Sequence, residues 1–180
     1  MQDRPMEKPQ SSLSFKIMSL QFKLRDLINP RQDILKEAGI KPGFQVLDFG
    51  CGPGGYILPL AKLTGTSGKI YALDINPNAI QAVKSLASKH QFANVATILS
   101  DSATGLPDGS MDVILLYDIL HMLKRPDDIL AELHRIMKAD GTLSVSDHHL
   151  GEEEITSRIT GTKLFHLSRK GEKVYNFSRI

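Results

Sequence analysis

The sequence predicts an α/β fold built on a doubly wound, seven-stranded and mostly parallel sheet of Rossmann-like type. Apolar strand patterns alternate with amphipathic helix patterns from Gln45 onward, and the first strand runs without a break into a glycine-rich turn, Gly50-Cys51-Gly52-Pro53-Gly54-Gly55. Near the end, two strand-like segments flank Arg169-Lys170-Gly171-Glu172-Lys173 and predict a closing antiparallel hairpin. Right-handed crossovers then put the glycine turn at the carboxyl edge of the sheet, near the point where strand order reverses.

The elements follow in order. Residues 1–12 are polar, with prolines and mixed charges, and are expected to form a mobile arm. Leu13, Ile17, Leu20, Leu24 and Leu27 recur at steps of four and three beside a stripe of Phe15, Met18 and Phe22, which predicts a helix over 13–28 with a broad apolar face. This segment, with the arm, is expected to make a cover (residues 1–29) over the ligand cleft of the domain at 30–180. Asn29-Pro30 caps a second helix that Gly39 closes. Strands are expected at 45–49, 69–75, 95–100, 111–117 and 141–146, with helices at 54–63, 77–89, 126–137 and 152–160. The third strand lacks a following helix, because Leu106 to Ser110 is turn-like. Met111 to Tyr117 is a near-continuous apolar run, as a central parallel strand requires. The hairpin strands are expected at 164–168 and 174–178.

Composition narrows the class. A chain of 180 residues fits a single domain with a sizeable core. A formal charge of +2 is too small to imply nucleic acid. Cys51 stands alone, so no internal disulfide can form, which agrees with a reducing compartment. The first ten residues lack the apolar stretch of a signal peptide, and no window approaches the roughly 20 apolar residues of a membrane span. A cytoplasmic protein without integral membrane association is the expectation.

The chemistry centres on the glycine turn. Glycines let backbone N–H groups approach a ligand where a Cβ would collide. Asp48, at the mouth of the turn, would repel a pyrophosphate and favour a cation or an amino group; S-adenosylmethionine carries both a sulfonium and an α-ammonium. Asp74 ends the second strand, where it could take two ribose hydroxyls. Gly50-x-Gly52-x-x-Gly55 also satisfies the dinucleotide fingerprint, with Asp74 in the ribose-binding place. Asp48 counts against that reading on charge, and Pro53 counts against it because it removes an N–H. Asp74 also reads as turn chemistry, since Asp-x-Asn-Pro favours a turn.

Four stretches, taken in order, resemble successive motifs of class I S-adenosylmethionine-dependent methyltransferases. They are Val46 to Gly55, Ala72-Leu73-Asp74-Ile75-Asn76, Ser100-Asp101, and Leu106-Pro107-Asp108-Gly109-Ser110-Met111-Asp112-Val113. The similarity runs from about Ile34 to the C-terminus. It is nearest to the small-molecule branch that includes ubiquinone/menaquinone-type C-methyltransferases and arsenite methyltransferases. The resemblance implies the strand order 3-2-1-4-5-7-6 with the seventh strand antiparallel, and S-adenosyl-L-methionine as cofactor. Asp48, Gly50, Cys51, Gly52 and Gly54 would then cradle the donor and Asp74 would hold its ribose. Ile75 would pack on the adenine, Asp101 would accept from the adenine amino group, and Ser102 and Ala103 would line the same pocket. The backbone of Tyr117 would meet the methionine ammonium.

Beside the reactive methyl, Asp118 or His121 could orient or deprotonate a nucleophile, although a lone histidine also serves as a packing residue. Asp147-His148-His149 ends the fifth strand on the same edge and, with His121, has the residue types of a zinc or iron set. Adjacent side chains on a strand face opposite ways, so both histidines cannot meet one ion there, and no metal is expected. The chain departs from the arsenic enzymes in lacking their cysteine pairs. It also lacks the Asn-Pro-Pro-Tyr signature of nucleic-acid amino methyltransferases at Leu116 to Leu120. No long insertion follows the fourth or fifth strand, so an open cleft, or a pocket completed in a homodimer, is expected.

The expected activity is methyl transfer to a small-molecule acceptor. The alternatives are an NAD(P)-binding oxidoreductase or epimerase, and a non-catalytic S-adenosylmethionine-binding protein that acts by interaction.

Overall fold

The computed structural model describes residues 31–180. The expected arm, the 13–28 helix and the Asn29-Pro30 cap lie outside the described residues. The elements are α1 (Arg31–Glu37), β1 (Gln45–Phe49), α2 (Ile57–Thr64), β2 (Lys69–Asp74), α3 (Pro77–Lys89), β3 (Val95–Leu99), β4 (Met111–Tyr117), a 3-10 turn (Leu120–Met122), α4 (Pro126–Ile136), β5 (Met137–Ser146), α5 (Glu152–Thr160), β6 (Phe165–Lys170) and β7 (Tyr175–Arg179). They form one seven-stranded sheet in the order β3-β2-β1-β4-β5-β7-β6. β1 to β5 pair in parallel and β7 is antiparallel to both β5 and β6. The expected order and the closing hairpin are both present. Among the described residues no helix is long and apolar enough to cross a membrane.

Side-chain alternation along the central strands divides the core in two. Val46 of β1 and Val113 and Leu115 of β4 pack with Leu35, Ile57, Leu60 and Val83, so α1, α2 and α3 cover one face. Leu47, Phe49, Ile114 and Leu116 point the other way, against Ile129, Leu130, Leu133 and Ile155 of α4 and α5. Burial on both faces explains why β4 reads as an unbroken apolar run.

Several element boundaries differ from expectation. α2 starts at Ile57 and not at Gly54, because Pro53, Gly54 and Gly55 form successive turns, with Gly54 N–H donating to Cys51 O and Ile57 N–H to Gly54 O. Glycine is a poor helix former, which delays the first regular turn. β5 starts at Met137 and not at Gly141: Met137 pairs with Met111 across a bulge, and Lys138 Nζ meets Asp112 Oδ1 at 2.6 Å. The hairpin strands each begin one residue later than expected and run on to Lys170 and Arg179.

After β3 the chain makes no helix, as expected, and α4 holds this segment in place. Glu132 Oε1 accepts from the Thr104 N–H at 3.0 Å and from the Thr104 hydroxyl at 2.5 Å. Arg135 donates to Leu106 O at 2.9 Å and pairs with Glu132 and Asp108. Burial alone would raise the Glu132 carboxyl, but hydrogen bonds from Arg135 and Thr104 outweigh it and hold the group down at about 2, from an ordinary 4.5. Folding therefore favours the ionised form. Its contribution to stability is complete above about pH 4.5 and is lost as the pH falls toward 2. Urea titrations across that window should give a flatter pH dependence for Glu132→Gln than for the wild type. Parallel curves would show that the Thr104–Arg135 clamp is not what lowers this carboxyl.

Candidate functional site

The carboxyl ends of β1, β2 and β4 converge on the glycine turn. The Leu73 carbonyl accepts from both the Gly50 N–H (2.8 Å) and the Cys51 N–H (2.9 Å), so the turn hangs from the end of β2. Asp74 adds a second anchor. Its Oδ2 accepts from the Gly52 N–H and its Oδ1 from the Asn76 N–H, both at 2.8 Å. Burial pushes the Asp74 carboxyl up, while the N–H groups of Asn76, Gly52 and Ile75 draw it back. Asn76 then caps α3 by accepting from the Asn78 N–H at 2.9 Å.

Two glycines in the turn answer to close packing. Gly50 has φ +79°, and a Cβ there would stand 3.0 Å from the Ile119 side chain. Gly54 has φ +83°, and its Cβ would stand 3.0 Å from Val83 Cγ2 of α3. The first contact brings the segment after β4 against the turn; the second brings α3 against it.

Asp48 is 2% exposed and shares a sheet face with Val46. Cys51 is also buried, and its thiol is pushed well up, first by burial and then by the Asp48 and Asp74 carboxylates. Tyr117 is buried with its hydroxyl 2.9 Å from the Ser144 hydroxyl and its ring edge-on to Tyr56 at 5.2 Å. Burial pushes this phenol far up. The side chain is thus a packing group, and only its backbone is left for a ligand.

On the β3 side, Asp101 is half-buried. Its Oδ1 accepts from the Ser102 hydroxyl at 3.0 Å, and its Oδ2 lies 3.7 Å from Arg125 of the α4 N-terminus. Ile75 and Ser102 are half-buried and Ala103 is exposed.

On the β4–β5 side the chain builds two carboxylate–imidazole pairs. His121 Nδ1 lies 2.8 Å from Asp147 Oδ2, and the His121 N–H donates to the same oxygen at 3.1 Å. His148 Nδ1 lies 2.6 Å from Asp118 Oδ1, which also accepts the His148 N–H at 3.2 Å. Asp118 itself has φ +53°, a left-handed conformation that aspartate adopts more readily than most residues. β5 stops at Ser146, so residues 147–149 do not alternate as strand residues. Asp147 Oδ1 accepts from the His149 N–H at 3.0 Å, and the turn brings the His148 and His149 rings to 3.9 Å. The expectation of opposite faces does not hold here, because the strand has already ended. His149 also lies 4.2 Å from His121, ring to ring.

A methyltransferase domain family matches residues 40–177, which takes in every element from β1 to β6 and the first part of β7. The chain belongs to this family. A curated relative, the demethylmenaquinone methyltransferase of Geobacillus sp. (strain WCH70), is 29% identical over 62% of this chain and 48% of its own. The aklanonic acid methyltransferase of Streptomyces sp. (strain C5) is 31% identical over 69% of this chain and 60% of its own. The chain therefore spans about half the length of these curated relatives. The crystal structure of a SAM-dependent methyltransferase from Aquifex aeolicus superposes with a TM-score of 0.73, at 26% identity, over 87% of this chain and 96% of that one.

The cofactor of this methyltransferase domain is S-adenosylmethionine. The expected donor residues Asp48, Gly50, Cys51, Gly52, Gly54, Asp74 and Ile75 lie near the end of β1, on the turn after it and at the end of β2. Asp101, Ser102 and Ala103 follow β3, Tyr117 ends β4, and Asp118 and His121 follow it. What residue reading missed is Asp147 as the partner of His121, and Arg125 as the cation beside Asp101. Neither pair has a sequence signal, since the separations are 26 residues and 24 residues and span whole elements.

Asp74→Ala removes the side-chain acceptor of the Gly52 and Asn76 N–H groups. It should therefore lower stability by about 1–3 kcal/mol in addition to weakening donor binding. Paired urea melts and S-adenosylhomocysteine calorimetry separate the effects. Unchanged stability would mean that water replaces the carboxylate at the Gly52 N–H.

Proposed function

We propose that the chain transfers the sulfonium methyl of S-adenosylmethionine to a small-molecule acceptor held beside His121. The observation that carries this reading is the juxtaposition of the Asp74-anchored glycine turn with the His121–Asp147 pair, bridged by the Gly50–Ile119 contact. The donor's ribose would rest on Asp74, whose two oxygens together keep acceptor capacity beyond the backbone N–H groups they bind. Its adenine would lie against Ile75, Ser102 and Ala103, with its amino group toward Asp101. Its methionine end would run past Asp48 to the Tyr117 backbone.

The thioether leaving group is already activated by its positive charge. The acceptor's electron pair forms the new bond to the methyl carbon as the C–S bond breaks, and S-adenosylhomocysteine departs. The protein's contribution is then chiefly alignment. Asp147 engages His121 Nδ1, which leaves Nε2 to meet a polar group of the acceptor. Asp118 would play the same orienting part through His148. The relatives' names point to ring-bearing acceptors such as a demethylmenaquinone or aklanonic acid, and such compounds are the first to test. An arsenite acceptor is disfavoured, because the chain's single cysteine is buried with a neutral thiol.

Two measurements decide. S-adenosylhomocysteine should bind and raise the melting temperature, and at about 100 times its dissociation constant it should add roughly 2.7 kcal/mol of stability. A folded protein with no such binding rejects the proposal. With an acceptor found by labelled-methyl transfer, His121→Ala should lower kcat by about 100-fold or more while leaving donor affinity within about threefold. An unchanged kcat would return His121 to a packing role.

A further inference from the structure

We infer that the ends of β4 and β5 form a binding site for one divalent transition-metal ion, with Asp118, Asp147 and His148 as its protein ligands. One donor atom from each of these residues lies within 4.8 Å of the other two. Donors about 2.1 Å from one ion stand roughly 3.4 Å apart at tetrahedral angles, so the three ligands draw in by at most roughly 1.4 Å to hold it. The parallel register pairs Tyr117 with Ser146, so Asp118 and Asp147 leave neighbouring strands at the same height.

The donor chemistry selects the ion. Two carboxylates balance a charge of two, and an imidazole favours manganese, iron, cobalt or zinc over magnesium or calcium. Asp147 is held as a ligand carboxylate would be. Its side chain is fully buried, and it accepts from the His121 N–H and the His149 N–H while facing His121 Nδ1. Such outer hydrogen bonds orient a ligand toward its ion. His148 is 57% exposed, so the outward side has room for water or an oxygen of a bound molecule. With three protein ligands the ion keeps open positions, as catalytic sites do. An acceptor with neighbouring hydroxyl or keto oxygens would fit those positions. This last step rests on the proposed methyl transfer; the metal site does not.

The competing account is that the two carboxylate–imidazole pairs only tie the loops together. Cobalt titration of the full chain, freed of metal by a chelator and without donor, tells them apart. The expected result is one Co2+ per chain at micromolar or tighter affinity, with visible absorption bands from an ordered ligand set. His148→Ala and Asp118→Asn should each weaken binding by more than the roughly 10–100-fold that outer-shell changes cost. His149→Ala should change it by less than about threefold. Asparagine tolerates the left-handed backbone at position 118, and circular dichroism melts verify that each variant is folded. Binding by the wild type only at millimolar Co2+, or a His148→Ala variant that binds as tightly as the wild type, overturns the site. An equal loss in His149→Ala overturns this ligand set. S-adenosylhomocysteine calorimetry on the same samples reports the donor site separately, so failure of one reading is distinguishable from failure of the other.

Discussion

The structure of the site depends on how the end of β2 holds the turn after β1. One carbonyl, that of Leu73, and one carboxylate, that of Asp74, take three consecutive N–H groups of the turn, those of Gly50, Cys51 and Gly52. A one-residue shift of β1 against β2 would carry these donors away from the Leu73 carbonyl and the Asp74 carboxylate. The parallel register that pairs Phe49 with Leu73 is therefore also the register that shapes the cradle. Asp74 acts a second time through Asn76, whose cap sets where α3 begins. A group expected to bind ligand is thus also a strut. Its two uses are compatible because a carboxylate accepts more bonds than the two the backbone takes.

The carboxylate–imidazole pairs are built on the opposite neighbour of β1, β4, and on the strand beyond it, β5. Ile119, packed where a Cβ on Gly50 would stand, sets the height of the segment after β4 against the turn. β5 then contributes Asp147, whose carboxylate engages the backbone and side chain of His121 and the backbone of His149. The arrangement puts two acids and three imidazoles at one sheet edge. Folds of this kind host many reactions, so the chemistry is to be read from the residues at such an edge.

Much of the molecule was legible in the chain. The alternation of strand and helix patterns, the unbroken apolar run of Met111 to Tyr117 and the closing hairpin were enough for the class of sheet, because these signals are local and repeat with the period of each element. The spacing of Asp48, the glycines and Asp74 was likewise sufficient to point to the donor, since these residues lie at the ends of two adjacent strands. The shifted boundaries have different causes: a distant partner, Met111, extends β5 backward, and the local turns around Pro53 shorten α2.

The sequence by itself determined the fold class, the family and its cofactor, and where the glycine turn sits at the carboxyl edge. Only the tertiary structure decided which side chains meet at the ends of β4 and β5. It assigned Asp147 to His121, Asp118 to His148 and Arg125 to Asp101, and it ended β5 one residue before Asp147 so that His148 and His149 lie together. The reason is physical. Strand and helix periodicity is written in neighbouring residues, whereas a contact between the ends of β4 and β5 depends on the crossover through α4. No spacing along the chain encodes where that crossover returns.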